Sequence, residues 1–274
     1  MLQIIAADVT TWFCLLSLPS WLVAAQSVAS QAYTPVAGPC PQGFNLVRMA
    51  GSLGNQSLST SEAAYVQARR SQVIPLAWKT YLTNVEATNV TLPAYVSSIL
   101  SGSSSETPNF GIATSGGGYR AAIFGAGVLN ALDGRNASSN NAGLGGLLQT
   151  ATYIAGLSGG SWLLTSLAQA NFPTIQQLIF GYPNATVAGN SWGGWNADRG
   201  IYAPSYNPIT ETEYLTYLVD ELQGKYDAGY TVTFADYWSR ALARHFVNGT
   251  SSSNFDDESY THGAGVLWSS VAET

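Results

Sequence analysis

The sequence predicts an α/β fold, and two local patterns in the middle of the chain carry that prediction. The apolar run Asn109–Thr114 leads into a run of glycines and then into a helix-like apolar segment. A second apolar run, Leu147–Ala155, ends in a strand pattern and leads into the turn Gly156–Gly160 and another apolar segment. Strand–glycine turn–helix units in succession favour a sheet with helices packed on it. Apolar residues form 46% of the 274 residues, which excludes wholesale disorder.

Charged residues are scarce in this chain. They form 9% of the residues, against about 25% in an average soluble domain, and the formal net charge is −6. Because no basic patch is available to neutralise phosphates, we expect no nucleic-acid partner. No Cys/His cluster has the spacing of metal ligands, so neither a metal nor another cofactor is predicted.

The N-terminal segment has the pattern of a secretory signal. The apolar stretch Trp12–Ala25 is too short to span a membrane, contains Pro19 and ends in small residues suited to cleavage. It lacks the basic residues typical of such signals and follows Asp8, so an uncleaved anchor or a core helix is the alternative. We predict a signal peptide over residues 1–25 and a secreted or cell-surface protein.

Sequons for N-glycosylation follow that segment. Behind a signal peptide they predict a glycosylated protein, whose sugars would replace the missing surface charge. The sequons lie at Asn55, Asn89, Asn136, Asn184 and Asn248. If Cys14 leaves with the signal, Cys40 remains unpaired, bonded to another chain or paired with a cysteine outside this sequence.

Residues 26–105 are predicted to be a lead-in with short helices. The first part is rich in Ser, Pro and Gly, and the capping box Ser59–Glu62 then begins a helix that runs through Arg70. Two further helices are predicted over Pro75–Leu82 and Pro93–Leu100. The Ser-rich stretch Ser101–Pro108 is predicted as a linker, so a further domain is expected over 106–274.

After the linker, helices are predicted to follow each strand and to fill the C-terminal third. They are expected over Tyr119–Leu132 and Ser161–Ala170, from the cap Thr210–Glu213, and from the cap Thr233–Asp236. In the last two, apolar residues recur every three or four positions, which is typical of helices with one buried face. Asp133-Gly134-Arg135 is predicted to end the first of these helices.

The segment Gly156-Leu157-Ser158-Gly159-Gly160 fits G-x-S-x-G, the pattern of a nucleophile elbow. A serine on a tight strand-to-helix turn takes a strained backbone conformation, and the flanking glycines prevent clashes. The following helix directs its positive N-terminal end at the negative charge that develops during acyl transfer. Ser158 is therefore the candidate nucleophile, and a turn of small residues without catalytic function is the alternative.

The second glycine turn is Ser115-Gly116-Gly117-Gly118, at the start of a predicted helix. Bare backbone N–H groups at such a position suit an oxyanion hole or a phosphate cradle, and a flexible packing turn is the alternative. Arg120 is suited to bind a substrate phosphate, unless it is a plain surface charge. The segment also fits the dinucleotide pattern G-x-G-x-x-A, but Asp133, the next acidic residue, is not on a following strand.

A serine nucleophile needs a base, and no motif in this sequence identifies one. His245 lies on a predicted helix beside Phe246, which favours a buried structural role, and His262 lies in a polar segment. An α/β-hydrolase esterase that uses one of these histidines is kept as an alternative.

The two glycine turns in this order resemble the fungal lysophospholipase (phospholipase B) family. The resemblance rests on Thr114–Arg135 (TSGGGYRAAIFGAGVLNALDGR) and Gly145–Ala168 (GLGGLLQTATYIAGLSGGSWLLTSLA), and shorter matches extend it from Tyr33 to the last residue. The catalytic module of that family is similar to cytosolic phospholipase A. The resemblance thus implies a patatin-like or cytosolic-phospholipase-like α/β sheet with a nucleophile elbow.

The resemblance also implies a Ser/Asp dyad, which needs neither a histidine nor a metal. Ser158 matches the nucleophile, and Gly117 and Gly118 match the oxyanion-hole glycines. Arg120 matches the arginine that stabilises the phosphate or the transition state. The dyad's aspartate belongs to an Asp-Gly-Gly turn far downstream of the elbow, so we expect this sequence to be a truncated, N-terminal part of the catalytic domain, ending at Thr274 before that turn.

The implied reaction is hydrolysis of fatty-acyl esters of lysophospholipids and phospholipids at a membrane or micelle surface. No protein partner is predicted. The alternative is an inactive, truncated fragment that binds lipid.

Overall fold

The structure is a computed structural model that describes residues 30, 34–40, 42–43, 47–96, 99, 107–181, 194–202 and 208–246. The predicted signal peptide, the sequons at Asn184 and Asn248, His262 and part of the predicted helix Pro93–Leu100 lie outside the described residues. Within those ranges, no helix combines the length and the apolar character needed to cross a membrane.

The first helical region is continuous, although the sequence predicted two separate helices. Helix α1 covers Thr60–Ala68, one π-helical turn covers Arg69–Val73, and α2 covers Ile74–Glu86. The predicted start is confirmed, because the Ser59 side chain accepts a hydrogen bond from the backbone N–H of Glu62 (3.2 Å). The π turn adds a residue without ending the helix, so the buried face shifts and the apolar period breaks in the sequence.

The remaining helices follow in two groups. They are α3 Gly118–Leu132, α4 Ala137–Asn141, α5 Leu147–Thr150, α6 Gly159–Gln169, α7 Ile175–Phe180, α8 Pro208–Glu221, α9 Gln223–Asp227 and α10 Phe234–Phe246. Asp133 caps the end of α3 as predicted. Helix α8 begins two residues before its predicted cap, because a proline fits the first turn of a helix without losing a hydrogen bond.

Two parallel strands form the sheet of the described part of the chain. Strand β1 covers Gly111–Thr114 and β2 covers Tyr153–Gly156, with Gly111 paired to Tyr153 and Thr114 paired to Gly156. The α/β architecture predicted from the sequence is confirmed at this level.

The second apolar run ends in the predicted strand, but it begins with a short helix. Leu147–Thr150 form the short helix α5 instead of extended chain. Thr150 closes that turn, since its hydroxyl donates to the Leu147 carbonyl (2.7 Å). Hydrophobicity alone does not separate a buried helical turn from a buried strand, so the apolar run did not indicate this turn.

The main core lies between α3 and α6, the helices that follow the two glycine turns. Small residues on α3 let the helices come close, and a Cβ on Gly125 would lie 3.0 Å from Leu163 Cδ2. The buried apolar side chains of this core are Ala122, Ala126, Leu129, Leu163, Leu167, Ile175, Leu178, Trp195 and Phe246.

The lead-in helices bind the chain just before β2. The Tyr65 hydroxyl donates to the Thr152 carbonyl (2.9 Å). The Arg69 guanidinium donates to the carbonyls of Gln149 (2.8 Å) and Ala151 (2.7 Å). These bonds satisfy carbonyls that neither α5 nor β2 uses, and so hold the start of the strand that leads to Ser158.

Candidate active site

Ser158 occupies the tight turn between β2 and α6. Its backbone has φ 51° and ψ −119°, a conformation that residues other than glycine rarely adopt. Ser158 is also exposed. Such strain costs on the order of 1–3 kcal/mol and persists only where the surroundings impose it. The Ser158 carbonyl accepts the N–H of Trp162 (3.1 Å), which is the first backbone hydrogen bond of α6.

The glycines around Ser158 leave no room for side chains. A Cβ on Gly156 would lie 2.7 Å from the carbonyl carbon of Gly160. A Cβ on Gly160 would collide with the Thr114 side chain, and one on Gly159 would collide with the backbone of Gly118. Each of the three glycines in Gly156–Gly160 thus has a steric reason to be glycine.

The two glycine turns lie against each other. A Cβ on Gly116 would lie 2.9 Å from Ser158 Cβ and 3.6 Å from Ser158 Oγ. The N–H of Leu157 donates to the Thr114 carbonyl (3.1 Å), which extends the pairing of β1 and β2 into the turns. Gly117 (φ 136°) and Gly118 (φ 64°) take backbone conformations that favour glycine, and Gly117 is exposed.

The electrostatics of this site come from helix ends and one arginine. Helices α3 and α6 both begin at the glycine turns, so the positive ends of two helix dipoles meet beside Ser158. Arg120 lies in the first turn of α3 and is exposed. Across the described ranges it makes no hydrogen bond or ion pair, so its guanidinium is available to an anionic group.

Within the described residues, no hydrogen bond joins the Ser158 hydroxyl to a carboxylate or an imidazole. Asp133, at the far end of α3, accepts hydrogen bonds from Arg135 (2.8 Å) and Gln149 (2.8 Å). Burial would raise the pKa of Asp133, but these hydrogen bonds outweigh burial and lower it. Asp133 is therefore a buried structural anion.

His245 is a core residue. Its side chain is 1% exposed, and Nδ1 lies 2.9 Å from the Ala241 carbonyl. Burial lowers the pKa of His245, so the imidazole is neutral at physiological pH. The structural interpretation of His245 agrees with this placement.

Sequence reasoning did not find the aromatic residues behind the two turns. The Tyr119 ring packs edge-on against Trp162, and both rings contact Phe246. The available signal was positional: Tyr119 is the first large residue after one glycine turn, and Trp162 is the first after the other.

The described sequons differ in their surroundings. Asn55 and Asn89 are exposed, and Asn89 has a left-handed backbone (φ 64°) after α2. Asn136 instead caps α4, since its side chain accepts the N–H of Ser138 (3.1 Å) and donates to the Asn130 carbonyl (3.2 Å). Cys40 is exposed and is not part of a disulfide within the described residues.

Comparisons with known proteins identify a family for this chain. Residues 110–273, more than half of the chain, match the lysophospholipase catalytic domain family. The chain is 38% identical over 251 residues to lysophospholipase 1 of Aspergillus fumigatus and 36% identical over 257 residues to lysophospholipase 2 of Candida glabrata. These alignments cover 90% and 93% of this chain but 36% and 34% of the relatives. The chain therefore spans about a third of the length of the curated relatives it matches.

Among solved structures, human GIVD cytosolic phospholipase A2 is similar at 23% sequence identity and a TM-score of 0.43. That alignment covers 76% of this chain and 25% of the human chain. The resemblance drawn from the two glycine turns is confirmed by the family match and by the curated relatives. This chain belongs to the family of lysophospholipase catalytic domains.

Proposed function

We propose that this chain carries the nucleophile and oxyanion-hole part of a lysophospholipase site. The observation that carries the proposal is the strained backbone of Ser158 directly against Gly116, with Gly117 and Gly118 following. The reaction is hydrolysis of fatty-acyl esters of lysophospholipids and phospholipids. This reaction is proposed for the whole protein, because the chain spans only about a third of the length of its relatives.

In the proposed mechanism, the Ser158 hydroxyl attacks the acyl carbonyl while a base removes its proton. The N–H groups of Gly117 and Gly118 stabilise the oxyanion of the tetrahedral intermediate. The bond from the acyl carbon to the glycerol oxygen then breaks, the alcohol leaves with a proton, and an acyl-enzyme remains. Water attacks the acyl-enzyme and releases the fatty acid. Arg120 binds the phosphate of the headgroup.

The base in this proposal is an aspartate of an Asp-Gly-Gly turn, supplied by the remaining part of the protein. The exposed face of the small sheet supports a larger assembly, since Ala113 of β1 and Ala155 of β2 are exposed although parallel sheets are normally covered on both faces. We accordingly propose a patatin-like, cytosolic-phospholipase-like sheet that further chain segments complete.

We also propose that the protein is secreted or held at the cell surface and is glycosylated. The exposed positions of Asn55 and Asn89 support this proposal, as does the scarcity of charge in the sequence. The substrate would then be met at a membrane or micelle surface outside the cell.

The test is release of fatty acid from lysophosphatidylcholine by the full-length gene product. We expect Ser158→Ala to remove hydrolysis, with a loss of at least about 10⁴-fold. The matched control is Thr165→Ala, which removes an exposed hydroxyl from the same helix and should leave the rate unchanged. Unchanged hydrolysis by Ser158→Ala would contradict the proposed nucleophile. A fluorophosphonate probe should add its mass to the peptide that contains Ser158.

A second candidate is a lipid-binding fragment without activity. It is favoured by the lack of a hydrogen bond from Ser158 to any described carboxylate or imidazole. Purified residues 26–274 should then sediment with lysophosphatidylcholine vesicles but release no more fatty acid than a Ser158→Ala control. Hydrolysis well above that control would rule this candidate out.

A further inference from the structure

The two glycine turns have almost no side chains of their own that pack. Leu157 is the single large residue within Ser115–Gly118 and Gly156–Gly160, and it is 70% exposed. The relative position of the turns therefore depends on close backbone contacts and on the first large side chains that follow. Those side chains belong to Tyr119 and Trp162.

Tyr119 and Trp162 connect the two turns directly. Their ring centroids lie 6.1 Å apart at an interplanar angle of 78°, an edge-to-face arrangement. Trp162 donates its backbone N–H to the Ser158 carbonyl (3.1 Å). Tyr119 lies between Gly118 and Arg120 in the sequence. One aromatic contact thus joins the candidate nucleophile to the candidate oxyanion donors.

Phe246, the last residue of α10, supports this pair. Its ring centroid lies 5.3 Å from that of Tyr119, 5.4 Å from that of Trp162 and 4.9 Å from that of Trp195. Phe246 is 1% exposed. Trp195 is itself held in place, because its indole N–H donates to Ser166 Oγ (2.7 Å). The rings of Tyr119, Trp162, Trp195 and Phe246 form what is called here the aromatic cluster.

We propose that Tyr119 and Trp162, supported by Phe246, are positioning residues that set the distance between Ser158 and the N–H groups of Gly117 and Gly118. This inference rests on the proposed function of Ser158. Oxyanion donors act only when they are within hydrogen-bond distance of the developing charge, and a displacement of about 1 Å can cost about 10²-fold in rate. Aromatic rings suit this task because they are large and have few rotatable bonds.

The ring of Tyr119, and not its hydroxyl, carries the positioning role. The hydroxyl oxygen is buried and has no hydrogen-bond partner among the described residues. Burial, with a smaller contribution from the charge of Asp198, raises the pKa of the Tyr119 hydroxyl, so it stays protonated. Removing an unpartnered buried hydroxyl leaves no polar group unsatisfied, so Tyr119→Phe should be tolerated.

The kinetic test compares variants of the full-length protein on lysophosphatidylcholine. We expect Tyr119→Leu and Trp162→Leu to lower kcat about 10- to 100-fold with little change in KM, because the turns shift while the binding surface remains. Tyr119→Phe should retain the wild-type kcat. The matched control is Phe234→Leu, which removes a 70% exposed ring of α10 that contacts Tyr202 and Trp238 but not the aromatic cluster.

A second measurement does not need catalysis. Backbone hydrogen exchange, read by mass spectrometry, should be faster in the peptides around Gly117 and Ser158 in Tyr119→Leu than in wild type or in Phe234→Leu. If wild type shows no hydrolysis but exchange changes in this way, the proposed function fails, whereas the structural coupling of the two turns through the aromatic rings stands. Equal exchange in Tyr119→Leu and Phe234→Leu, or a wild-type kcat in Tyr119→Leu, overturns the inference.

Discussion

The glycine-turn region and the C-terminal helices are stabilised in different ways. Around Ser158 the structure depends on missing side chains, since the two turns contact each other through backbone atoms where a Cβ would not fit. Between α8 and α10 it depends on buried charge, since Glu221 forms ion pairs with Arg240 (2.7 Å) and with Arg244. The Arg244 guanidinium also lies 5.6 Å from the centre of the Tyr214 ring.

This difference explains where the few charged residues of the chain are used. Glu221 is 3% exposed and Arg244 is 6% exposed, so charge that is scarce on the surface is nevertheless buried between two helices. The buried pairs hold α10, and α10 ends at Phe246 in the aromatic cluster. Near Ser158, by contrast, Arg120 is a cation without a described partner, which leaves its charge available to a ligand.

Among the variants that compare the two regions, Gly159→Ala has the largest expected effect. The new Cβ would collide with the Gly118 backbone and push the two turns apart, so hydrolysis by the full-length protein should fall at least about 10²-fold. Gly127→Ala is the matched control, because no atom lies within 4 Å of its Cβ position. Replacing glycine by alanine in a helix should raise the free energy of unfolding by about 0.5–1 kcal/mol. Equal activity of the two variants would contradict the close contact of the turns.

The next effect concerns the buried ion pairs. Glu221→Gln leaves Arg240 and Arg244 without their carboxylate, so the free energy of unfolding should fall by about 3 kcal/mol. Asp198→Asn breaks an ion pair with Arg199 in which the aspartate side chain is 71% exposed. It should change the free energy of unfolding by less than about 0.5 kcal/mol. Urea unfolding of each variant measures both values. Similar losses of unfolding free energy in the two variants would contradict a larger stabilisation by the buried ion pairs.

Replacing Arg120 tests whether the positive charge beside the glycine turns binds the substrate phosphate. We expect Arg120→Met to lower kcat/KM for lysophosphatidylcholine about 10- to 100-fold, the loss of a charge-assisted hydrogen bond to phosphate. Monoacylglycerol has no phosphate, so its hydrolysis by the same variant should change by no more than about twofold. Equal losses on both substrates would assign Arg120 to the transition state or to folding instead of the headgroup.

The smallest effect is a pH dependence at His245, where the two regions meet. Burial lowers the pKa of His245 below its usual value of about 6.5, and Arg244 adds to this while the Ala241 carbonyl and Asp198 oppose it. The unfolded chain therefore takes up the proton first as pH falls. Stability from this group is complete above about pH 6.5 and is lost as pH falls from there toward the folded pKa, by at most about 1.4 kcal/mol per pH unit.

Urea unfolding at a series of pH values measures this dependence. His245→Gln should remove the slope below pH 6.5, whereas His262→Gln should keep it. A slope that survives in His245→Gln would assign the dependence to another group.

Part of the site could be predicted from the sequence because its signals are local. The G-x-S-x-G pattern, the helix that follows it and the cap at Asp133 each depend on residues close together in the chain. The same local reasoning did not predict the helical turn Leu147–Thr150 and was wrong at the π turn Arg69–Val73, where backbone hydrogen bonds and packing decide the conformation.

The sequence by itself determined the fold class, the candidate nucleophile, the candidate oxyanion glycines and the family. Glycines between a strand and a helix indicate a tight turn, because glycine adopts backbone conformations that other residues rarely take. The tertiary structure alone decided that the two turns lie together and that Tyr119, Trp162 and Phe246 pack behind them. These features depend on contacts between residues about 40 to 130 positions apart, which local patterns do not encode.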